Sequence, residues 1–472
     1  MAYTRRALLR TLFYGAGAAA AVAWGLDRPS GYLPLSRVPG ALPPLDKLPG
    51  RELPLVAGPL SQIGLLQNSG VDGIWIPEGF SVRCVARHLA NPVSGRIDPS
   101  GGLLGYSWHR APDGGAVFGA EDGGWVYVSN SETNRSGGVG ALRFAADGSL
   151  IDAYPVLLNT RRNCAGGPTP WGTWLSCEEL SDGLVYECDP FGTPAQAVVH
   201  PALGCFRHEA AAVDEQTRTV YLTEDHGDGR FYRFRSFGRV SGINGRSALD
   251  LSQGVLEVLE IDGFAHGGYD DNLASARVLR KVRWQPVLQP QHPQGEVRDQ
   301  YRASTGQGAP GTRFNGGEGL WIQHFPDGQQ PLLPDGQRPL RAVVFFACKG
   351  DNRVYALDID NDQIEVVFDN EHLIGTGQAP FKDVDNLVVS PAGDVIVAED
   401  GDAMRLMVMV PNGVPRILLQ IDHGGSELTG PAFTPDGSRL YFSSQRGPSA
   451  MLVNRGATYE LTLPPAFRPG SA

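Results

Sequence analysis

The chain has 472 residues, 42% of them hydrophobic and 19% charged, with a formal net charge of −11. That balance argues against a nucleic acid or an anionic membrane as partner, and no mature segment is charged enough to be disordered. The 61 glycines and 36 prolines are spread along the chain, which favours many short strands joined by turns.

In chain order, the first feature is Thr4-Arg5-Arg6-Ala7-Leu8-Leu9-Arg10 before an apolar, alanine-rich run from Leu12 to Trp24. Paired arginines before a modest hydrophobic region match a twin-arginine export signal. The run is shorter than the roughly 20 strongly apolar residues needed to span a bilayer, and Ala21-Val22-Ala23 offers a small-x-small cleavage site. Residues 1–26 are therefore expected to be the signal. The protein is expected in the periplasm or outside the cell, exported by the twin-arginine machinery, and touching a membrane only through an uncleaved signal. Residues 27–70, rich in Pro and Leu and without periodicity, read as an extended leader. Residues 71–472 read as one β domain. Six cysteines in an exported chain raise the question of disulfides; a Cys188–Cys205 bridge is one possibility, and no spacing resembles a zinc CxxC pair.

Six stretches share an apolar strand, a small residue and then polar or acidic residues: Trp125–Glu132, Thr173–Glu179, Thr219–Asp225, Val343–Asp351, Asp394–Asp400 and Arg439–Gln445. Aligned on Ser129, Ser176, Thr223, Ala347, Ala398 and Ser443, their gaps are 47, 47, 124, 51 and 45. All but the wide one match the roughly 40–50 residues of a propeller blade. Pro-x-Gly turns at Pro112, Pro170, Pro391 and Pro435 precede several of these strands, and alternating segments follow them. The expectation is an all-β chain, a six-bladed β-propeller, with an inserted segment at about 236–312 between the third and later blades. Within it, 255–261 and 276–284 look strand-like, 289–311 reads as a polar loop, and the whole reads as a cover over the tunnel mouth.

A propeller brings matching positions of different blades together at one mouth, so the repeat implies two rings. One lies just beyond the anchor strands: Glu178 and Glu179, Glu224 and Asp225, Glu399 and Asp400, with Asn130 and Glu132. The other lies at the starts of the preceding strands: Asn163 and Cys164, His208 and Glu209, Glu318, Asp385 and Asn386, and Glu427. Cys164, Asp385, Glu209 and Glu427 precede their anchors by 12, 13, 14 and 16 residues, and Glu318 by 29, which requires a longer turn there. An isolated Asp or Glu is usually a solvated strand-end charge. A ring of them raises its members' pKa values unless cations sit among them. Oxygen ligands suit calcium, magnesium or manganese, and a thiolate suits iron or zinc. Cys164 could instead be a small buried hydrophobe, and His208 a ligand or a partner of one. Arg110, Arg161, Arg207, Arg313 and Arg446 could serve an anionic substrate.

Asn163–Glu179 (NCAGGPTPWGTWLSCEE), Phe206–Ala211, Leu222–Asp225, Glu318-Gly319, Asp385–Leu387 with Val397–Gly401, and Glu427–Pro431 together resemble the PhoX-type alkaline phosphatases, over most of the chain from about Val71 to Leu463. The resemblance implies a six-bladed propeller carrying iron and calcium at the tunnel mouth and hydrolysing phosphate monoesters. It implies an iron-ligating thiolate at Cys164 and carboxylate ligands at Glu179, Glu224, Glu318 and Glu399, with Glu178, Glu209, Asp385 and Glu427 nearby. Two departures stand out. The position two before the Glu-Gly pair, where the family has arginine, is Gly316, the nearest arginine being Arg313; and the last strand ends Ser443-Ser444-Gln445-Arg446-Gly447.

The leading expectation is thus a metal-dependent phosphatase acting as a monomer on a small phosphorylated substrate, with Arg446, Arg313 or Arg110 steadying the developing charge. A calcium-dependent lactonase or esterase and a non-catalytic ligand-binding propeller are the alternatives.

Overall fold

Apolar runs such as Trp125–Val128 and Val343–Phe346 have no polar face, so they form strands only where both faces are covered. The computed structural model meets that condition. It describes residues 53–97, 105–265, 279–333, 339–401, 403–411, 413–448 and 456–470, and of His372 the backbone. The signal expected at 1–26, and the leader up to Glu52, lie outside the described residues.

The chain opens with β1 (Leu66–Asn68), β2 (Ile74–Pro77) and β3 (Ser81–Arg87). A four-stranded antiparallel sheet follows, β4 (Pro112–Gly119), β5 (Trp125–Ser131), β6 (Gly137–Phe144) and β7 (Leu150–Thr160). The next is β8 (Asn163–Pro168), β9 (Trp174–Glu178), β10 (Val185–Cys188) and β11 (Val198–Val199). Then come β12 (His208–Asp214), β13 (Thr219–Glu224) and β14 (Phe231–Ser236), a small hairpin β15 (Arg239–Ser241) and β16 (Ser247–Leu249), β17 (Gly254–Ile261) and β18 (Arg280–Pro286). A helix α1 (Gln294–Thr305) leads into β19 (Gly317–His324), β20 (Ala342–Cys348), β21 (Arg353–Asp358) and β22 (Gln363–Phe368). Strand β18 pairs with both β17 and β22, so β12–β14, β17, β18 and β19–β22 share one nine-stranded sheet. The chain ends with β23 (Val384–Val389), β24 (Val395–Glu399), β25 (Arg405–Met409) and β26 (Arg416–Ile421), then β27 (Leu428–Phe433), β28 (Arg439–Ser444) and β29 (Ala457–Thr462).

The early strands complete the late sheets: β2 pairs with β26, and β3 with β29. Leu60 and Ile63 of the expected leader belong to the same hydrophobic cluster as β28 and β29. The result is an all-β, propeller-like arrangement. Its innermost strands β4, β8, β12, β19, β23 and β27 follow one another in a closed circuit, β27 contacting β4. The predicted anchor stretches are β5, β9, β13, β20, β24 and β28, the second strand in each series, and every described residue of β5, β9, β13, β20 and β24 is buried.

Three local expectations differ from what the chain adopts. Pro112-Asp113-Gly114 begins strand β4 instead of forming a turn; the turn lies at Gly123, whose N–H reaches the Ala120 carbonyl (3.1 Å). The stretch 289–311, read as a polar loop, contains α1. The helix is capped by Gly306 in the left-handed region (φ 69°), and it docks through the buried Gln294, Val297 and Arg298, the last ion-paired with Glu224. All six cysteines are free thiols, so Cys188 and Cys205 are not bridged. The longer turn expected after Glu318 is the β19–β20 connection, stapled by a Leu332–Pro339 bridge.

Candidate metal centre

The site is built from one device used repeatedly. Every inner strand pairs with its second strand through a register shift near its start. The shifts fall between Pro112 and Gly115, Asn163 and Gly166, His208 and Ala211, Gly317 and Leu320, Val384 and Leu387, and Thr429 and Ala432. A β-bulge re-aims a side chain that regular alternation would send to a face of the sheet. The first residues inside these bulges are Asp113, Cys164, Glu209, Glu318, Asp385 and Gly430. Carbonyls freed from the ladder find side-chain donors: Asn130 Nδ2 reaches those of Cys164 (3.1 Å) and Ala165 (2.7 Å), and Thr223 Oγ1 reaches that of Glu318 (2.6 Å). Close approach is part of the device. A Cβ on Gly319 would lie 2.3 Å from the Leu387 nitrogen.

Among the described residues three groups of ligand atoms result, each within 4.8 Å: Asp113, Glu132 and Cys164; Glu209, Glu318 and Asp385; and Asp385, Asp400 and Glu427. Asp385 joins the last two. Glu209 is 1% exposed and neither of its carboxylate oxygens has a hydrogen-bond partner; Oε1 of Glu318 is likewise buried without one. Burial, reinforced by Asp385, Asp113 and Glu179, pushes the Glu209 carboxyl well above its usual range. Burial does the same for Glu318 against the opposing pull of Lys349, and lifts Asp385 to about 6 and Glu427 to about 7, the latter with help from Asp400 and Asp385. The Cys164 thiol is raised first by burial and then by Asp113 and Glu209.

Leaving carboxylates buried without donors is costly, so this donor set fits cations. Oxygen donors dominate, and Cys164 adds one soft donor to the first group.

Cys164, Glu209, Glu318, Asp385 and Glu427, singled out from the sequence, are brought together here. Glu179 stands beside them, ion-paired to Arg207 (3.2 Å) and to Arg162, which also bridges to Glu132 (2.8 Å); burial lifts Glu179 to about 7. The structure gives Glu178, Glu224 and Glu399 other partners. Glu178 accepts the Arg161 N–H (2.9 Å). Glu224 accepts two bonds from the buried Arg298 of α1 (2.6 and 3.0 Å), the Tyr232 hydroxyl (2.8 Å) and the Arg230 N–H (3.0 Å). Glu399 takes Arg405 in a fork (2.7 and 2.8 Å) and the Lys382 N–H (2.8 Å).

Of the arginines, Arg446 is ion-paired with Glu427 and reaches the Gly425 carbonyl (3.1 Å). Arg110 is exposed just before β4, and Arg313 precedes Phe314, which pairs with Gly229. His208 is buried against Phe206 (ring centroids 3.7 Å), its Nε2 lies 3.1 Å from the Gly204 carbonyl, and burial drops its pKa to about 3.

Asp113 was missed. It precedes Ser129 by 16 residues, the same spacing that identified Glu427, but its Pro-Asp-Gly context reads as a turn. Lys349, 2.7 Å from Asp400 and 3.8 Å from Glu318, was missed too, because nothing in Ala347-Cys348-Lys349-Gly350 marks it apart from a surface lysine.

Residues 110–329 match the family described as alkaline phosphatase PhoX. No curated protein matches the chain. Among solved structures, a Pseudomonas fluorescens PhoX in complex with vanadate, a transition state analogue, is similar with a TM-score of 0.61 at 17% identity, over 88% of this chain and 98% of that one. A Xanthomonas campestris gluconolactonase is similar with a TM-score of 0.42 at 10% identity, over 85% of this chain and 98% of that one. The matched segment holds Asp113, Cys164, Glu209 and Glu318, and with it the chain resembles the PhoX alkaline phosphatases in sequence and in fold.

Proposed function

We propose that the protein is a metal-dependent hydrolase of phosphate monoesters, exported through the twin-arginine route and acting as a monomer in the periplasm or outside the cell. The observation that carries this reading is Glu209, a buried carboxylate without a hydrogen-bond donor at the point where the inner strands converge. The match of residues 110–329 to PhoX supports the choice of phosphate. In this reading the nine-stranded sheet counts as two blades, β12–β14 with β17 and β19–β22, tied by β18, which makes six blades in all.

Asp113, Glu132 and Cys164 would hold iron, and the two groups sharing Asp385 would hold calcium or a further iron, with Glu179 completing the centre. Bound cations supply positive charge that draws the phosphoryl group in and stabilises its transition state. The chain's own residues do the rest. The bulges keep the ligands converged before substrate arrives. Arg162 holds Glu132 and Glu179 in place, and Gln445 donates to both Asp113 (2.8 Å) and Glu132 (2.9 Å), so the first group is fixed by donors behind it. Arg446, held by Glu427, would lend its guanidinium to the phosphoryl oxygens.

The test is hydrolysis of p-nitrophenyl phosphate by protein purified with iron and calcium. Activity that disappears on chelation and in Glu209→Gln supports the reading. Full metal occupancy without activity above the Glu209→Gln level would overturn it.

A further inference from the structure

A chain with a net charge of −11 whose mouth is lined by carboxylates needs an available cation to receive an anionic substrate. Four guanidinium groups around the mouth are held by carboxylates: Arg162 by Glu132 and Glu179, Arg207 by Glu179, Arg405 by Glu399, and Arg446 by Glu427. Lys349 differs in which carboxylates hold it. Its ammonium lies 2.7 Å from Asp400 and 3.8 Å from Glu318, one carboxylate from each of the two groups that share Asp385, and its side chain remains 30% exposed. It therefore spans both groups.

The backbone that carries it is fixed. Lys349 follows β20, and its N–H reaches the Gly316 carbonyl at 2.7 Å; the next N–H, of Gly350, reaches the Asn315 carbonyl at 2.9 Å. Gly316 lies in the left-handed region (φ 68°), where a side chain is strained. A Cβ there would lie 3.5 Å from the Lys349 Cβ and 3.3 Å from Asp225 Oδ1. The bare backbone of Gly316 thus leaves the space beside the Lys349 stem open, and the two hydrogen bonds set where the stem starts. The ammonium itself, on a flexible stem with three donors, has donors beyond the one it gives Asp400 with which to meet another anion.

We propose that Lys349 is a substrate-binding residue: its ammonium contacts the phosphoryl oxygens of the phosphate monoester, delivered over Gly316 from the end of β20. This rests on the phosphatase reading above. A cation held by Asp385, Asp400 and Glu427 would give Asp400 a second positive partner, which would leave the Lys349 ammonium available to the dianion.

The experiment compares full-length, metal-loaded wild type with Lys349→Met and Lys349→Arg. It measures KM for p-nitrophenyl phosphate, the inhibition constant of inorganic phosphate, iron and calcium content, and melting temperature. Loss of one charge-assisted contact is expected to raise KM and the phosphate inhibition constant about 10- to 100-fold in Lys349→Met, with metal content unchanged. Lys349→Arg is expected to recover most of that loss, which a purely structural lysine would not require. An unchanged phosphate inhibition constant in Lys349→Met at full metal content overturns the assignment and leaves the phosphatase reading standing. A weakened inhibition that follows altered metal content also overturns it, since Lys349 is then only a counter-cation of Asp400. Wild type that neither cleaves the ester nor retains phosphate in equilibrium dialysis overturns both.

Discussion

Two sets of carboxylates lie at the same mouth, and they differ in what answers their charge. Glu178, Glu224 and Glu399 end the second strands β9, β13 and β24 and are met by the protein itself, through backbone N–H groups and, for the latter two, buried arginines. Glu209 and Glu318 sit one strand inward, in bulges, and carry buried oxygens with no hydrogen-bond partner. Residue type and burial are alike in the two sets. The difference teaches that the outer set is answered from within the fold, while the inner set leaves buried oxygens that no donor of the fold reaches.

The comparison can be broken most forcefully from the outer side. Glu224→Ala would strand the Arg298 guanidinium, which is 4% exposed, and should cost about 3–5 kcal/mol in chemical denaturation while the remaining folded protein keeps its metal. Metal loss out of proportion to unfolding would move Glu224 into the inner set. From the inner side, Glu209→Gln should lower activity and metal affinity by on the order of 10²-fold or more, because even partners behind a ligand are worth about 10–100-fold. Its metal-free stability should be unchanged or raised, since no donor is lost.

A subtler contrast lies in pH. Asp385 and Glu427 are lifted to about 6 and about 7, above the roughly 4 of an unfolded carboxyl. The metal-free native state therefore holds protons that the unfolded chain has released, and its stability, complete below about pH 4, falls as the pH rises through 6 and 7. Bound cations would replace those protons, so the melting temperatures of metal-loaded and metal-free protein should diverge from pH 5 to pH 8. Curves that stay parallel would show that these two carboxyls take no part in binding. The smallest effect is expected from Glu178→Gln, about 0.5–1.5 kcal/mol with activity retained, because the amide still accepts the Arg161 N–H.

Much of the inner set was legible before any coordinates. Cys164, Glu209, Asp385 and Glu427 fall at nearly constant distances ahead of their anchors because the repeat fixes where each inner strand begins. Strand type was legible for a related reason: fully buried strands read as unbroken apolar runs. The partition of carboxylates between the two sets was not. It depends on Arg298, which reaches Glu224 from a helix 74 residues further along the chain, and on Arg405, which approaches Glu399 from the next strand. A period in the sequence says which residues share a position, not which donors arrive there from outside the repeat. Asp113 was hidden because Pro-Asp-Gly is both a turn signal and a workable start for a bulged edge strand, and only pairing with β5 decides between them. Gly316 read as a missing side chain; in the structure its bare backbone makes room beside the Lys349 stem.

The central claim is that Glu209 and Glu318, with buried oxygens that no donor reaches, and not the satisfied Glu224 and Glu399, hold metal. Elemental analysis of iron and calcium in purified wild type, Glu209→Gln and Glu399→Gln tests it most directly. The account predicts stoichiometric metal in wild type and in folded Glu399→Gln, and its loss from Glu209→Gln. Metal absent from wild type, or lost from folded Glu399→Gln and kept in Glu209→Gln, would contradict it.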